Sequence, residues 1–187
     1  VYASESRTNA TNMGLAYLLK SKGRFYGPVS PCVDAYTHQC SIMVTASDLA
    51  VMAATFATGG VQPRTKQRLI KSEGANYVLQ NVLPEGLYEY SDTWIMRTGG
   101  RAYAKSGVGG GILIVIPNVC GIGIFSPRLD SHGNSVRGVA AGVDLARALS
   151  PPLFKTTRET ASVPVHRHQR TRRRRTRGSK TRRTRGR

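Results

Sequence analysis

The sequence predicts an α+β fold in which a small antiparallel sheet is packed with helices. Two observations carry this reading. Helical periodicities fill the chain up to Leu83 and return after Ser135, and the Ile/Val-rich runs that read as strands lie together between them. A βαβ protein would alternate the two patterns, whereas here they are segregated. The 187 residues are sized for one domain with a buried core.

Taken in order, Asn12 to Lys20 reads as a helix ended by Lys22-Gly23. Thr45-Ala-Ser-Asp48 has the form of a capping box, and Leu49, Met52, Ala53 and Phe56 follow at the i, i+3, i+4, i+7 spacing of one helical face. Gly59-Gly60 stops that helix. A second helical pattern runs from Pro63 to Leu83 (Leu69, Ile70, Tyr77, Val78), and Pro84-Glu85-Gly86 breaks it before Tyr88. Ile112–Ile116 and Gly121–Phe125 flank Pro117-Asn118, and are predicted to pair as a hairpin with a loop of about five residues. Ser135 to Leu149 is the closing helix, with Val136, Val139, Val143 and Leu149 among alanines and Pro151-Pro152 after it. Two or three strands make a small sheet, which leaves open edges and one uncovered face unless further strands are supplied.

Charge divides the chain unevenly. Lysine plus arginine number 28 against 10 acidic residues, a net +18, but twelve of those cations fall in 166–187 with no acid among them. Residues 1–165 then hold 16 cations against 10 acids and carry only +6. That body reads as an ordinary globular protein rather than a polyanion binder. Residues 155–187, rich in Thr, Arg, Gly and Ser with no apolar periodicity, are expected to form a disordered tail. A nucleic-acid-binding protein acting through 166–187 is the alternative reading, without base stacking because the tail has no aromatic residue. It is not favoured, since the abrupt change of composition also resembles an out-of-frame sequence. The longest apolar stretch is interrupted by Pro117 and is too short for a bilayer, so no membrane role is expected. Glu5 and Arg7 stand where a secretory signal would need an apolar core. Cys32, Cys40 and Cys120 give neither a disulfide framework nor a zinc spacing, which favours a reducing, cytoplasmic setting. His38, His132, His166 and His168 lack the partner spacing of a metal site, and no metal is expected. Asp130-Ser-His-Gly-Asn134 reads as a turn rather than a carboxylate site.

The segment Ala104-Lys105-Ser106-Gly107-Val108-Gly109-Gly110-Gly111 is not a phosphate loop, because its lysine precedes the glycines and a strand follows. Lys-Ser-Gly at the start of an antiparallel strand resembles instead the Lys-Thr-Gly element of penicillin-recognising serine acyl enzymes. Alone, the glycines equally fit a bulge or a tight strand crossing. Four further stretches stand in an informative order around it: Tyr36-Thr-His-Gln39-Cys40-Ser41 with the helix after Thr45, Gly59-Gly60-Val61-Gln-Pro63, Gly121-Ile-Gly-Ile-Phe125-Ser126-Pro127, and Gly133-Asn134-Ser135-Val136-Arg137-Gly138. In these motifs, from about Glu5 to about Phe154, the chain resembles the serine-dependent glutaminases.

The resemblance implies a β-lactamase/transpeptidase-like fold, with residues 1–154 a partial glutaminase catalytic domain. It implies hydrolysis of L-glutamine to L-glutamate and ammonia through a γ-glutamyl-serine acyl-enzyme, a homo-oligomer that is often a tetramer, and no cofactor. It also implies site residues. Glu5 would pair with the substrate α-ammonium, and Asn12 would hydrogen-bond its carboxylate or amide. Tyr36 and Tyr88 match the two substrate-site tyrosines and are the proton-transfer candidates. Val108 occupies the position whose backbone N–H helps form the oxyanion hole. The family's Ser-x-x-Lys, which supplies the nucleophile and its activating lysine, occurs nowhere in the 187 residues. The chain therefore resembles the second half of a glutaminase, its sheet expected to be incomplete at the N-terminal side and the isolated chain expected not to turn over glutamine. Arg97 to Tyr103 is about two residues longer than the family's segment. A β-lactamase or transpeptidase acting on cell-wall substrates is disfavoured, because Glu5, Asn12 and the Tyr36 motif follow the glutaminase pattern.

Overall fold

The computed structural model describes residues 1–150. Six helices come first: α1 (Tyr2–Arg7), α2 (Ala10–Ser21), α3 (Val29–Cys40), α4 (Ala46–Ala57), α5 (Ser72–Glu85) and α6 (Ser91–Thr98), the last entered through a 3-10 turn at Tyr88–Tyr90. Strands β1 (Tyr103–Ser106), β2 (Gly111–Ile116) and β3 (Cys120–Phe125) follow, and α7 (Val136–Leu149) closes the order. The strands form one antiparallel sheet in the order β1-β2-β3. The segregated α+β arrangement expected from the sequence is thus the one observed.

Alternation along β2 builds the two layers around it. Ile112, Ile114 and Ile116 point to one face and join Trp94, Leu87, Val139, Val143 and Ala146 in the larger core. Val115 points to the other and packs with Ala53, Ala57 and Leu79, flanked by Leu113 and Phe56. So α7 and α6 cover one face, and α4 and α5 the other. The Trp94 indole N–H donates to the Ala102 carbonyl at 2.9 Å, which ties α6 to the start of β1.

The approach of α4 to β3 is very close. A Cβ on Gly121 would lie 2.0 Å from the Ala54 nitrogen, and one on Gly123 would lie 2.0 Å from the Ala46 carbonyl oxygen. Helix and strand touch backbone to backbone, and only glycine fits. The capping box at the head of α4 is present: Asp48 N–H donates to Thr45 Oγ1 at 3.2 Å, and Thr45 N–H donates to the Asp48 carboxylate at 2.8 Å. Of the expected face of α4, Leu49 meets Gly111 and Gly123, Ala53 is buried and Phe56 packs on the core, whereas Met52 is 40% exposed; alanines 46, 50, 54 and 57 complete the contact with the sheet.

Several boundaries depart from the sequence expectation. The helix expected from Pro63 begins only at Ser72. Residues 61–70 instead fold into a loop closed by a Val61–Arg68 bridge, in which Gln62 Oε1 accepts from the Arg64 and Thr65 amides and Lys66 takes φ 60°. Leu69 is exposed there rather than inside a helical face. Helices α1, α3 and α6 carry no apolar stripe strong enough to read. In α6 the buried i, i+3, i+7 positions are Ser91, Trp94 and Thr98, and the Thr98 hydroxyl bonds back to the Trp94 carbonyl. The hairpin loop is three residues, Pro117–Val119, with Asn118 at φ 59°, shorter than the expected five. Lys105-Ser106 closes β1 rather than starting a strand, and residues 107–110 are the β1–β2 turn. Helices α2 and α3 share a smaller core of Ala16, Val29 and Val33. The expectations for the tail, disorder over 155–187 and nucleic-acid contact through 166–187, lie outside the described residues.

Replacing Gly121 by alanine forces a methyl group onto the α4 backbone, and we expect a loss of about 3 kcal/mol or more. Urea unfolding followed by the emission of Trp94, the only tryptophan, measures it; an unchanged midpoint would refute the backbone contact.

Candidate active site

The site is built where the end of α5, the 3-10 turn, the end of β1 and the loop before α7 meet. Gly86 brings α5 onto β1: a Cβ there would lie 1.8 Å from the Ala104 carbonyl oxygen, and the Ser106 amide donates to the Gly86 carbonyl at 2.9 Å. The chain then reverses through Tyr88, a non-glycine residue at φ 52°. That conformation costs roughly 1–3 kcal/mol and needs fastening. Ser91 fastens it from below, its hydroxyl donating to the Tyr88 carbonyl at 2.7 Å and accepting from the Leu87 amide at 2.9 Å.

Asn134 fastens it from the side. Its carboxamide is fully buried, donating through Nδ2 to the Leu87 carbonyl at 3.0 Å and accepting through Oδ1 from the Ser106 hydroxyl at 2.6 Å. Asn134 is itself placed by Asp130, whose carboxylate accepts the Asn134 and His132 amides at 2.9 Å each. The segment is therefore the turn that its composition predicts. These bonds, the Asn134 amide foremost, hold the Asp130 carboxyl below the usual aspartate value. His132 also lies 3.1 Å from the Glu89 carboxylate beside the 3-10 turn.

Three of the five sequence-nominated residues come together over this scaffold. A Cβ on Gly133 would stand 3.0 Å from Val108 Cγ1 and 3.9 Å from Tyr88 Cε2, so the two residues flank one point. Val108 sits in the exposed β1–β2 turn, and among the described residues its backbone N–H meets no acceptor. Tyr36, exposed on α3, lies within electrostatic reach of Tyr88. The Tyr36 phenol is raised above its ordinary value, mainly by its hydrogen bond with Cys40, then by the charge of Cys40, partial burial and the neighbouring Tyr88. Glu5 and Asn12 are placed differently, on α1 and α2, which both pack on α3. Tyr2 of α1 stacks on His38 of α3 with ring centroids 3.8 Å apart. Neither Glu5 nor Asn12 hydrogen-bonds Tyr36 or Tyr88. The segment between α6 and β1 turns through Gly99 and Gly100, both left-handed.

Lys105 was not nominated by the sequence and belongs to the site. The residue is exposed, but its ammonium is partly covered: it donates to the Ser106 carbonyl at 2.6 Å and lies 4.7 Å from the centroid of the Tyr88 ring. Burial pushes its pKa below the usual lysine value. A cation over a ring face is attracted by the ring quadrupole, which orients Tyr88 from the strand side. Its signal in the sequence is the Lys-Ser-Gly element, which reports the lysine but not the ring it covers. Among the described residues no three His, Cys, Asp or Glu side chains gather in a way suited to a metal ion.

Two outcomes follow from this geometry. Asn134→Ala strands the Leu87 carbonyl and the Ser106 hydroxyl in the interior and is expected to cost about 2–3 kcal/mol in urea unfolding. Asp130 has a folded pKa below its unfolded value of 3.8, so its contribution is complete above that value and is lost as pH falls through the folded pKa. Asp130→Asn should therefore flatten the acid limb of the thermal midpoint below about pH 4 while changing its slope little near neutrality; an unaltered limb would show that the turn does not depend on the carboxylate.

Known proteins resemble the chain over the same residues. The glutaminase family profile matches residues 1–154. The glutaminase of Colwellia psychrerythraea is 48% identical over 154 residues, which is 82% of this chain and 49% of that protein. Among solved structures, a probable glutaminase, ybaS, superposes with a TM-score of 0.75 at 43% identity over 83% of this chain and 50% of that one. The Bacillus subtilis glutaminase YbgJ, in covalent complex with 5-oxo-L-norleucine, superposes with a TM-score of 0.75 at 31% identity over 82% of this chain and 55% of that one. The fold is the serine β-lactamase-like fold of these neighbours. The chain spans about half the length of the curated relatives it matches. With a profile match over residues 1–154 and a relative 48% identical across 82% of its length, the chain belongs to the glutaminase family.

Proposed function

We propose that residues 1–154 are the part of a glutaminase catalytic domain that binds L-glutamine and moves protons during its hydrolysis to L-glutamate and ammonia. The observation that carries this is that Tyr88 and Val108, whose N–H meets no acceptor among the described residues, flank the same point beside Gly133. Addition of a serine oxygen to the γ-carbonyl carbon turns the carbonyl oxygen into an oxyanion, and the Val108 N–H is the donor for it. The amide nitrogen leaves as ammonia after gaining a proton, for which the Tyr88 and Tyr36 phenols are the nearby carriers. Water then cleaves the γ-glutamyl ester and restores the serine. Glu5 takes the substrate α-ammonium, and Asn12 takes its carboxylate or amide. The covalent complex formed by the Bacillus enzyme supports a covalent route. The serine and its activating lysine are not among these 187 residues.

The same reading includes a homo-oligomer, a tetramer by resemblance, supported by Leu15, Leu18 and Leu19 of α2, which are 53%, 55% and 46% exposed. A cytoplasmic setting is supported by three free cysteines. No helix among the described residues is long and apolar enough to cross a membrane.

Ammonia release from L-glutamine tests the proposal, using the purified chain mixed with the portion of the Colwellia glutaminase that lies outside the matched region. We expect no turnover by the chain alone, turnover by the mixture, and a fall in kcat of about 100-fold or more for Tyr88→Phe. Val108→Ala should be nearly silent, because only the backbone acts. Turnover by the chain alone, or full activity of Tyr88→Phe in the mixture, sinks the reading.

A further inference from the structure

A concavity separate from the candidate active site lies at the other end of the sheet from Val108. It opens between the end of α4, the middle of α5, the first residue of β1 and the β2–β3 loop, with a volume of ≈ 200 Å³. The turn that carries Val108 precedes Gly111 of β2, whereas this loop follows Ile116, so the length of β2 separates the two places. The walls are held from within the fold. The Asn118 amide donates to the Ala57 carbonyl at 2.9 Å, which pins the loop to α4, and Leu79 of α5 is buried in one cluster with Ala53, Ala57 and Val115. Phe56 and Tyr103 pack against that cluster and bring two aromatic rings to the lining.

The polar part of the lining is of one kind. Asn76 and Gln80, four residues apart and so on one side of α5, and Asn118 on the loop each bring a carboxamide. Among the described residues none of these three carboxamides makes a hydrogen bond. No lysine, arginine, histidine, aspartate or glutamate among the described residues lines the concavity. An ion would leave its water there without meeting a counter-charge, and the same holds for a zwitterion such as L-glutamine. A sugar, polar on every side, would set hydroxyls against Phe56, Leu79 and Tyr103. A carboxamide presents a donor beside an acceptor, and pairs edge to edge with a ring that carries the same two groups, as it does with adenine. A cavity of about 150 Å³ admits benzene, so the space here suits one ring or two fused ones.

We propose that this concavity is a binding site for an uncharged, planar nitrogen heterocycle of the nucleobase type. The apolar faces of the ring lie against Phe56, Leu79 and Tyr103, and its donor–acceptor edge meets the carboxamides of Asn76 and Gln80. Bound there, the ring bridges α5 to the start of β1. Those two elements meet again where Gly86 lies on Ala104, so occupancy bears on the contact from which the candidate active site is built. The assignment does not depend on the glutaminase reading.

Adenine is the probe, titrated into the isotope-labelled 187-residue chain and followed by the chemical shifts of the backbone amides. Saturable shifts are expected at residues 56–59, 76–80, 103 and 118–119, with a Kd of about 0.1–1 mM for a ligand of this size. Unsubstituted purine, which lacks the exocyclic donor, should bind about tenfold more weakly, and L-glutamine should leave these amides unmoved. Asn76→Ala/Gln80→Ala changes two exposed positions to a good helix former, and should weaken adenine binding about tenfold with the Trp94 emission unchanged. Adenosine separates the two sources of such a ring: affinity equal to that of adenine assigns the base of a nucleoside, a loss of about tenfold assigns the free base, and both uphold the site. No shifts up to about 10 mM adenine, or shifts confined to other residues, overturn the proposal. So do equal binding of purine, indifference of the folded double variant, and L-glutamine binding at these amides.

Discussion

The buried carboxamide of Asn134 is the interaction on which the site depends. It joins the loop before α7, the end of β1 through Ser106, and the reversal after α5 through Leu87. An unpaired amide or hydroxyl in the interior costs about 1–3 kcal/mol, so only one relative placement of the three segments satisfies every group. That placement holds Tyr88 in its left-handed conformation and sets it beside Val108 and Gly133. Local strain at Tyr88 is thereby borne by a rigid interior rather than by the exposed turn itself.

Around that bridge the layers are set by backbone proximity as much as by side-chain volume. Because α4 lies directly on Gly121 and Gly123, its alanines meet the sheet backbone there, with Leu79 and Phe56 completing the layer. The bulk goes to the other face, where three isoleucines of β2 meet Trp94 and the small stripe of α7. The consequence for function is that the β1–β2 turn presents Val108 outward, two residues after the buried Ser106. Lys105 then approaches the Tyr88 ring from the strand whose next residue, Ser106, is locked in the interior.

Much of the helical and strand content was legible where one local signal dominates. The Thr45–Asp48 box, the alternation of β2 and the stripe of α7 each report a single strong preference. Helices α3 and α6 were not legible, because their buried positions include Thr37, Ser91 and Thr98, polar residues satisfied by their own helix or the adjoining turn. The loop at 61–70 was misread as helix because Leu69 and Ile70 have the right spacing. The Gln62 side chain, accepting two backbone amides, outcompetes the helix there. Of the candidate site, motif order nominates Tyr36, Tyr88 and Val108, and Lys105 escapes it because a lysine in a motif does not say which ring it will cover.

The sequence by itself determined the segregated α+β order, the main helix and hairpin signals and the family motifs, because capping, periodicity and residue spacing act within a few residues along the chain. Only the tertiary structure decided that Tyr88 and Val108 flank one point beside Gly133 and that Asn134 bridges two distant segments. Those outcomes depend on which long-range hydrogen bonds leave no buried group unpaired, and that is a property of the packed whole rather than of any local stretch.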